Sequence, residues 1–234
     1  MLIVRIFMVL LAFASPLSMA GGAVAGPLED AQAAHGRSDY ATALRLWRPL
    51  ADQGNADAQY ALGFMYDRGQ GVPKNQAEAA KWWRLAADQG NTFAQYNLGT
   101  LYDEGKGVPQ NKAEALKLYH LAAERGNDGA QFSVGVLHFA GVAVPENRVE
   151  AAKWFRRAAD QGHVGGQVYL ALSYATGLGV PKDNVQAYMW LTLAAARGDP
   201  DAIGNRNRVA REMTPAQIAE AQKLAREWKS KPER

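Results

Sequence analysis

The residue types that most often carry catalysis do not occur at catalytic spacings in this 234-residue chain. Cysteine is absent, which excludes cysteine nucleophiles, thiolate zinc sites and disulfide bonds. None of the six serines has a lysine three positions later, the spacing of the nucleophile pair in serine β-lactamases. We therefore expect neither enzymatic activity nor a cofactor.

The histidines and paired carboxylates give no stronger indication of chemistry. No two of the four histidines stand four residues apart around a glutamate, as they do in helical zinc sites. We interpret His138 as a hydrogen-bonded, partly buried imidazole and His163 as a helix cap or turn residue. Asp103 and Glu104 are adjacent, and adjacent side chains on a helix point in different directions. No metal site is predicted.

Two glycine-rich loops share only their composition with phosphate-binding loops. They run from Gly69 to Pro73 and from Gly105 to Pro109. A phosphate cradle follows a strand, whereas these loops follow a predicted helix and recur once per repeat. Glycines with positive φ and a proline with fixed φ predict a tight connection instead. Ala143 replaces the second glycine of a third loop, where we expect a different shape or backbone strain.

The elements that would position any site are set by a 36-residue repeat. The first two of four gap-free copies agree at 21 of 36 positions. Small residues at positions 63, 99, 135 and 171 would let the first helix of each unit approach its neighbours closely. Units of this size cannot bury an apolar face alone, so they must stack. The copies cover 56–91, 92–127, 128–163 and 164–199, and a partial match predicts a degenerate helix pair over 28–55.

Each unit has the pattern of two short helices joined by the glycine-proline loop. Asn75 stands three residues before Glu78, and this spacing recurs in the next two units. It is the spacing of a capping box, in which the cap accepts from the N3 amide and the N3 glutamate bonds back to the cap. Each unit then ends in a glycine suited to a left-handed C-terminal residue. These glycines are Gly54, Gly90, Gly126, Gly162 and Gly198.

The N-terminal segment differs from the repeats. Arg5 precedes an apolar run over 6–14, and small residues at 18 and 20 suit a signal peptidase. We predict a cleaved signal peptide over 1–20, with residue 25 as an alternative end. The mature protein is then expected to be periplasmic or secreted, without a lipid anchor and without membrane insertion.

The C-terminal segment 200–234 is predicted to form capping helices. Thr214 is a helix cap with Gln217 three residues later. Over 204–234, eight basic residues against four acidic ones give +4, so this segment carries the whole basic excess. The chain as a whole carries +3, too little to indicate a nucleic acid partner.

The first full unit contains the pattern Ala58-Gln59, Leu62-Gly63, Tyr66, Gly69-x-Gly71-Val72-Pro73-x-Asn75, Glu78-Ala79-x-Lys81-Trp82 and Ala86-Ala87-x-x-Gly90. This pattern resembles the Sel-1-like repeat, a relative of the tetratricopeptide repeat, and the resemblance covers roughly 28–199. It implies an all-α fold, a right-handed α-solenoid superhelix of antiparallel helix pairs. It also implies a non-enzymatic interaction scaffold, adaptor or regulator of exported bacterial type. The implied partner is an envelope protein, a sensor protein or a host protein.

By analogy with tetratricopeptide repeats, the first helix of each unit would line a concave binding face. We expect this face to be polar and aromatic in its N-terminal half and apolar in its C-terminal half. The aromatic at the fifth helix position recurs, which favours packing between repeats, whereas Phe64, Phe93 and Phe139 each occur once, as a chain-specific contact would. The candidate partner-binding residues are Asp57, Tyr60, Phe64, Arg68, Phe93, Tyr96, Phe132, Val136, Phe139 and Leu172.

Two other functions are weighed against a protein partner. An aromatic groove outside the cytoplasm could bind peptidoglycan or another envelope glycan. Some cysteine-rich members of the family bind penicillin or hydrolyse β-lactams, but this chain has neither cysteine nor the serine-lysine pair. A β-lactamase-like hydrolase is therefore the weakest alternative.

Overall fold

The computed structural model describes residues 26–232, which fold into twelve α-helices without a strand. Short connections join them into consecutive antiparallel pairs, so the predicted all-α repeat solenoid is confirmed. The predicted signal peptide, 1–20 or 1–25, lies outside the described residues. The helices are α1 (Pro27–Gly36), α2 (Tyr40–Asp52), α3 (Ala56–Arg68), α4 (Gln76–Asp88), α5 (Thr92–Glu104), α6 (Lys112–Glu124), α7 (Asp128–Ala140), α8 (Arg148–Gln161), α9 (Val164–Thr176), α10 (Asn184–Ala196), α11 (Pro200–Ala210) and α12 (Pro215–Glu227).

Helices α3, α5, α7 and α9 are called the first helices below, and α2, α4, α6, α8 and α10 the second helices. From α1 to α11 each helix packs on its neighbours along the chain, and the buried residues form clusters that cross unit borders. Small residues allow the close approach within a unit. A Cβ atom on Gly135 would lie 2.6 Å from the ring of Phe155, and one on Gly99 would lie 2.9 Å from the ring of Tyr119. Stability therefore accumulates from one interface to the next.

The second helices begin with caps that differ in one respect from the expected capping box. Asn75 Oδ1 accepts from the Glu78 amide at 3.0 Å, as predicted. The reciprocal bond from Glu78 was a wrong prediction, because the single amide hydrogen of Asn75 is donated to the Tyr66 carbonyl at 2.8 Å. Glu78 Oε2 instead binds Lys81 Nζ at 2.9 Å. The same amide bond recurs in the next three units and holds each loop against its first helix.

The loop of the third unit keeps the shape of the others at the cost of backbone strain. Gly71 and Gly107 have φ values of 69° and 71°, and Ala143 adopts 65° at the equivalent place. For a residue with a Cβ atom, the left-handed region costs about 1 to 2 kcal/mol. The sequence analysis expected either a different loop shape or backbone strain at Ala143. The structure shows the strained backbone in a loop of unchanged shape.

The C-terminal segment closes the solenoid. Helices α11 and α12 both pack on α10, and α12 starts with a complete capping box between Thr214 and Gln217. Trp228 lies edge-on to Trp190 at 6.0 Å between ring centroids, which brings the end of the chain back towards α8 and α10. Among residues 26–232, none of the helices combines the length and the apolar character needed to cross a lipid bilayer.

Candidate interaction surfaces

The recurring aromatics of the first helices connect consecutive units. The Tyr60 ring lies 5.8 Å from the Phe93 ring of the next unit, and the Phe132 ring stacks on His163 at 4.8 Å. The Tyr96 ring contacts the first turn of α7. Burial raises the pKa of the Tyr60 and Tyr96 phenols, so both remain protonated at neutral pH. These three rings have the contacts expected of inter-repeat packing.

The three phenylalanines that occur once in the repeat pattern differ in accessibility. Phe64 is half-buried, with the Arg68 guanidinium 5.5 Å from its ring centroid. Phe139 is likewise half-buried, and Arg148 lies 5.3 Å from its ring. Phe93 is 53% exposed, which makes it the most accessible large apolar side chain of the first helices. Because an arginine lies over the Phe64 ring and another over the Phe139 ring, Phe93 is the most accessible of the three phenylalanines.

The apolar C-terminal half of the predicted face is partly occupied by the protein itself. Val136 and Phe139 pack against the cluster that contains Phe155. Leu172 lines a cleft of about 170 Å³ together with Val209 and Arg208 of α11. Helix α11 therefore forms one wall of the cleft at this end.

The polar N-terminal half is held by hydrogen bonds between neighbouring elements. Asp57 Oδ1 accepts from Asn91 Nδ2 of the next unit at 3.2 Å. Asp103 pairs with Lys112 at 2.7 Å across the loop of its own unit. Exposed pairs of this kind contribute about 0 to 1 kcal/mol each. Their main effect is to orient the polar groups on this face.

His138 does not have the hydrogen bond that we expected for it. In the other units a tyrosine stands at this place and accepts from an arginine 18 residues earlier, as in Arg48 to Tyr66 at 3.1 Å. In the third unit that earlier residue is His120, whose ring meets His138 edge-on at 5.8 Å. His138 Nδ1 is buried and has no partner within 26–232, because His120 lacks the reach of an arginine. The described residues contain no group of three or more metal-ligating side chains.

Buried glutamines join each first helix to the second helix before it. Gln59, Gln95 and Gln131 are at most 4% exposed. Each donates from Nε2 to a carbonyl in the last turn of the preceding second helix, at 3.0 to 3.1 Å. Gln167 is the fourth member of the series and is fully buried, but both polar atoms of its side chain lack a partner in the described part of the chain.

The sequence analysis missed a groove that is lined mainly by second helices. It lies between α4 and α6 and has a volume of about 390 Å³. The sequence contained one sign that the grooves differ between units. Leu121 is replaced by Arg157 at the equivalent position of the next unit, while the surrounding pattern is kept. The lining residues are Arg84, Ala87, Asp88, Gln89, Gly90, Gln95, Glu114, Lys117, Leu118, Leu121 and Arg125.

The stacked helix pairs, the loop glycines and the buried inter-repeat contacts define an α-solenoid repeat protein. The model of the family described as Sel1 repeat matches five segments, at 34–55, 56–91, 92–127, 129–163 and 165–199. The chain belongs to the Sel1 repeat family. Members of this family generally mediate protein–protein interactions through a non-enzymatic repeat fold. No curated protein matches the chain at a significant level.

Two solved structures are similar over most of this chain. A Sel1 repeat protein from Oxalobacter formigenes is 30% identical, with a TM-score of 0.70, and the match covers 84% of each chain. The protein c5321 of uropathogenic Escherichia coli, described as a protective antigen with an SLR fold, is 29% identical with a TM-score of 0.60. That match covers 86% of this chain and 52% of the antigen, so this chain spans about half of the antigen's length.

Proposed function

We propose that this chain is a non-enzymatic scaffold or regulator that binds a protein partner outside the cytoplasm through the face formed by its first helices. The observation that carries the proposal is Phe93, which is 53% exposed and rests on Tyr60 of the preceding unit. Aromatic side chains, phenylalanine among them, are enriched at protein–protein interfaces relative to the rest of the surface. Asp57, which accepts from Asn91 two residues before Phe93, supplies a polar group near that side chain, and Asp103 supplies another near the C-terminal end of the same helix α5.

In-cell crosslinking followed by mass spectrometry tests this proposal. The wild-type protein should capture one envelope, sensor or host protein, and Phe93→Ala should reduce the capture about tenfold or more, as loss of an interface anchor does. The matched control is Val149→Ala, because Val149 is 56% exposed but lies on the second helix α8. Equal capture by both variants and the wild type would exclude the first-helix face as the binding site.

The predicted signal peptide supports action outside the cytoplasm, and cell fractionation tests this part. We expect a mature protein that starts at Gly21 or Gly26 in the periplasmic or extracellular fraction. A full-length protein with Met1 in the cytoplasmic fraction would contradict it.

The alternative partner is an envelope glycan, since the open Phe93 ring could also stack on a sugar ring. Retention on purified peptidoglycan sacculi, lost in Phe93→Ala but kept in Val149→Ala, would favour the glycan over the protein. Absence of retention by the wild type would exclude it.

A further inference from the structure

The chain binds its own C-terminal tail in a groove between two second helices. The tail, residues 228–231, crosses the ends of α8 and α10. Ser230 Oγ donates to the Gln161 carbonyl at 2.8 Å, and the Lys231 amide donates to the Asp160 carbonyl at 2.7 Å. The Trp228 ring lies against Trp190, with the Arg197 guanidinium 6.0 Å from its centroid. The tail therefore uses carbonyls that a helix end leaves without intrahelical partners.

The groove between α4 and α6 is the same construction 72 residues earlier. Asp88 and Gln89 stand where the tail-bound groove has Asp160 and Gln161, and no described residue donates to their two carbonyls. Arg125 stands where Arg197 stands, and its Nη1 donates to the Gly90 carbonyl at 2.6 Å. Arg197 makes the same bond to Gly162. Arg125 in the α4/α6 groove is therefore held in the same way as Arg197, the cation that faces Trp228 in the groove between α8 and α10.

One further feature distinguishes the α4/α6 groove from the groove that holds the tail. Leu118 replaces Trp190 at the base of the groove, which leaves room for a large side chain within the 390 Å³ volume.

A third equivalent groove lies between α6 and α8, and the side chain of Arg157 fills it. Arg157 occupies the position of Leu121, and its guanidinium lies 4.4 Å from the Trp154 ring centroid. Its Nη2 donates to the Ala123 carbonyl at 3.2 Å, and its Nη1 pairs with Glu124 at 3.3 Å. Of these three equivalent grooves, one holds the tail, one holds an arginine, and the α4/α6 groove holds neither.

We propose that the α4/α6 groove binds an extended peptide segment of a partner protein, with an aromatic residue followed two positions later by serine or threonine. The aromatic ring packs on Leu118 beneath Arg125, the hydroxyl donates to the Gln89 carbonyl, and the next backbone amide donates to Asp88. This is the arrangement of Trp228, Ser230 and Lys231 in the occupied groove. The site is separate from the first-helix face and does not depend on it.

A synthetic peptide with the sequence of residues 226–232 is a suitable probe, since its binding geometry is visible in the structure. Titration of the full chain, followed by calorimetry, should give saturable binding of one peptide. Leu121→Arg should raise the Kd about tenfold or more, because it places the side chain of Arg157 in the groove. The matched control is Leu85→Arg, which changes an equally exposed leucine one unit earlier, outside the groove, and should leave the Kd unchanged.

A second variant guards against an effect on folding. Arg125→Gln introduces the residue that the third unit carries at this position, and it should weaken the peptide severalfold by removing the cation beside the ring. Thermal melts should show all three variants folded. Absence of saturable binding to the wild type, or an unchanged Kd in Leu121→Arg, would overturn the proposal; the latter would place the peptide in another groove. Phe93→Ala should bind the peptide normally, so this result separates the groove from the first-helix face.

Discussion

His163 keeps a structural role that other units assign to a different residue type. Asn91 and Asn127 cap their first helices through an amide oxygen, whereas His163 uses its ring nitrogen Nδ1, which accepts from the Gly166 amide at 3.1 Å. Such a nitrogen accepts only while it is unprotonated. Burial lowers the pKa of His163, and the carboxylate of Asp128 acts in the opposite direction with smaller effect. The cap therefore requires the neutral imidazole.

This cap predicts a pH dependence of stability. Because the folded-state pKa lies below the ordinary value of 6.5, the unfolded chain binds more protons as the pH falls below 6.5, and the free energy of unfolding decreases through that window. His163→Asn keeps a capping side chain and removes the titration. Urea unfolding between pH 7.5 and pH 5 should show a smaller loss for the variant. A part of the dependence should persist, since burial also lowers the pKa of His120. Equal losses in both proteins would contradict this assignment.

At the scale of helices, the buried glutamines show that one residue type can stabilise one interface between helices and destabilise another. Gln131 donates to the Ala123 carbonyl at 3.1 Å and accepts from Gln161 at 2.9 Å. Gln167 has the same burial, with neither polar atom bonded to a described residue. The interface between α8 and α9 thus encloses an amide without the bond that the earlier interfaces make.

Replacing each of these glutamines with leucine should give opposite results. Gln131→Leu removes the hydrogen bond to the Ala123 carbonyl and the one from Gln161, so we expect a loss of about 1 to 3 kcal/mol in the free energy of unfolding. Gln167→Leu removes an unpaired polar group at similar volume, so we expect no loss or a gain of about 1 kcal/mol. Equilibrium urea unfolding measures both. A comparable loss in Gln167→Leu would show that its amide has a partner in solution.

For the whole molecule, the C-terminal tail acts as a local closure of a quasi-one-dimensional structure. Trp228 covers Trp190, which is 2% exposed, and Ser230 and Lys231 donate to carbonyls at the end of α8. In a solenoid each unit contacts only its neighbours, so stability added at one end is felt mainly there.

Trp228→Ala should therefore destabilise one end of the protein selectively. Removing a half-buried indole should cost about 2 kcal/mol, somewhat less than the loss of a fully buried one. Hydrogen exchange should show faster exchange in α8 to α12 and little change in α1 to α5. Uniform acceleration along the chain would mean that the solenoid unfolds as a single cooperative unit.

Much of the fold could be predicted from the sequence because its determinants are local and repeated. A cap three residues from its partner amide, a glycine at a left-handed position and a 36-residue period each appear directly in the residue order. The Sel1 repeat resemblance and the all-α solenoid are confirmed on this basis. The candidate residues of the first-helix face stay a prediction, with Phe93 as its most exposed aromatic.

The tertiary structure alone decided what happens between units. The amide of Asn75 prefers the Tyr66 carbonyl to the glutamate of its own capping box, and His138 faces His120 without the bond that an arginine would give. Whether a groove is filled depends on contacts between residues more than 30 positions apart, such as Arg157 on Ala123. The sequence by itself determined the repeated unit because each helix and loop is specified by residues within a few positions of one another. It could not determine which equivalent groove stays open, because that depends on how distant side chains and the tail pack.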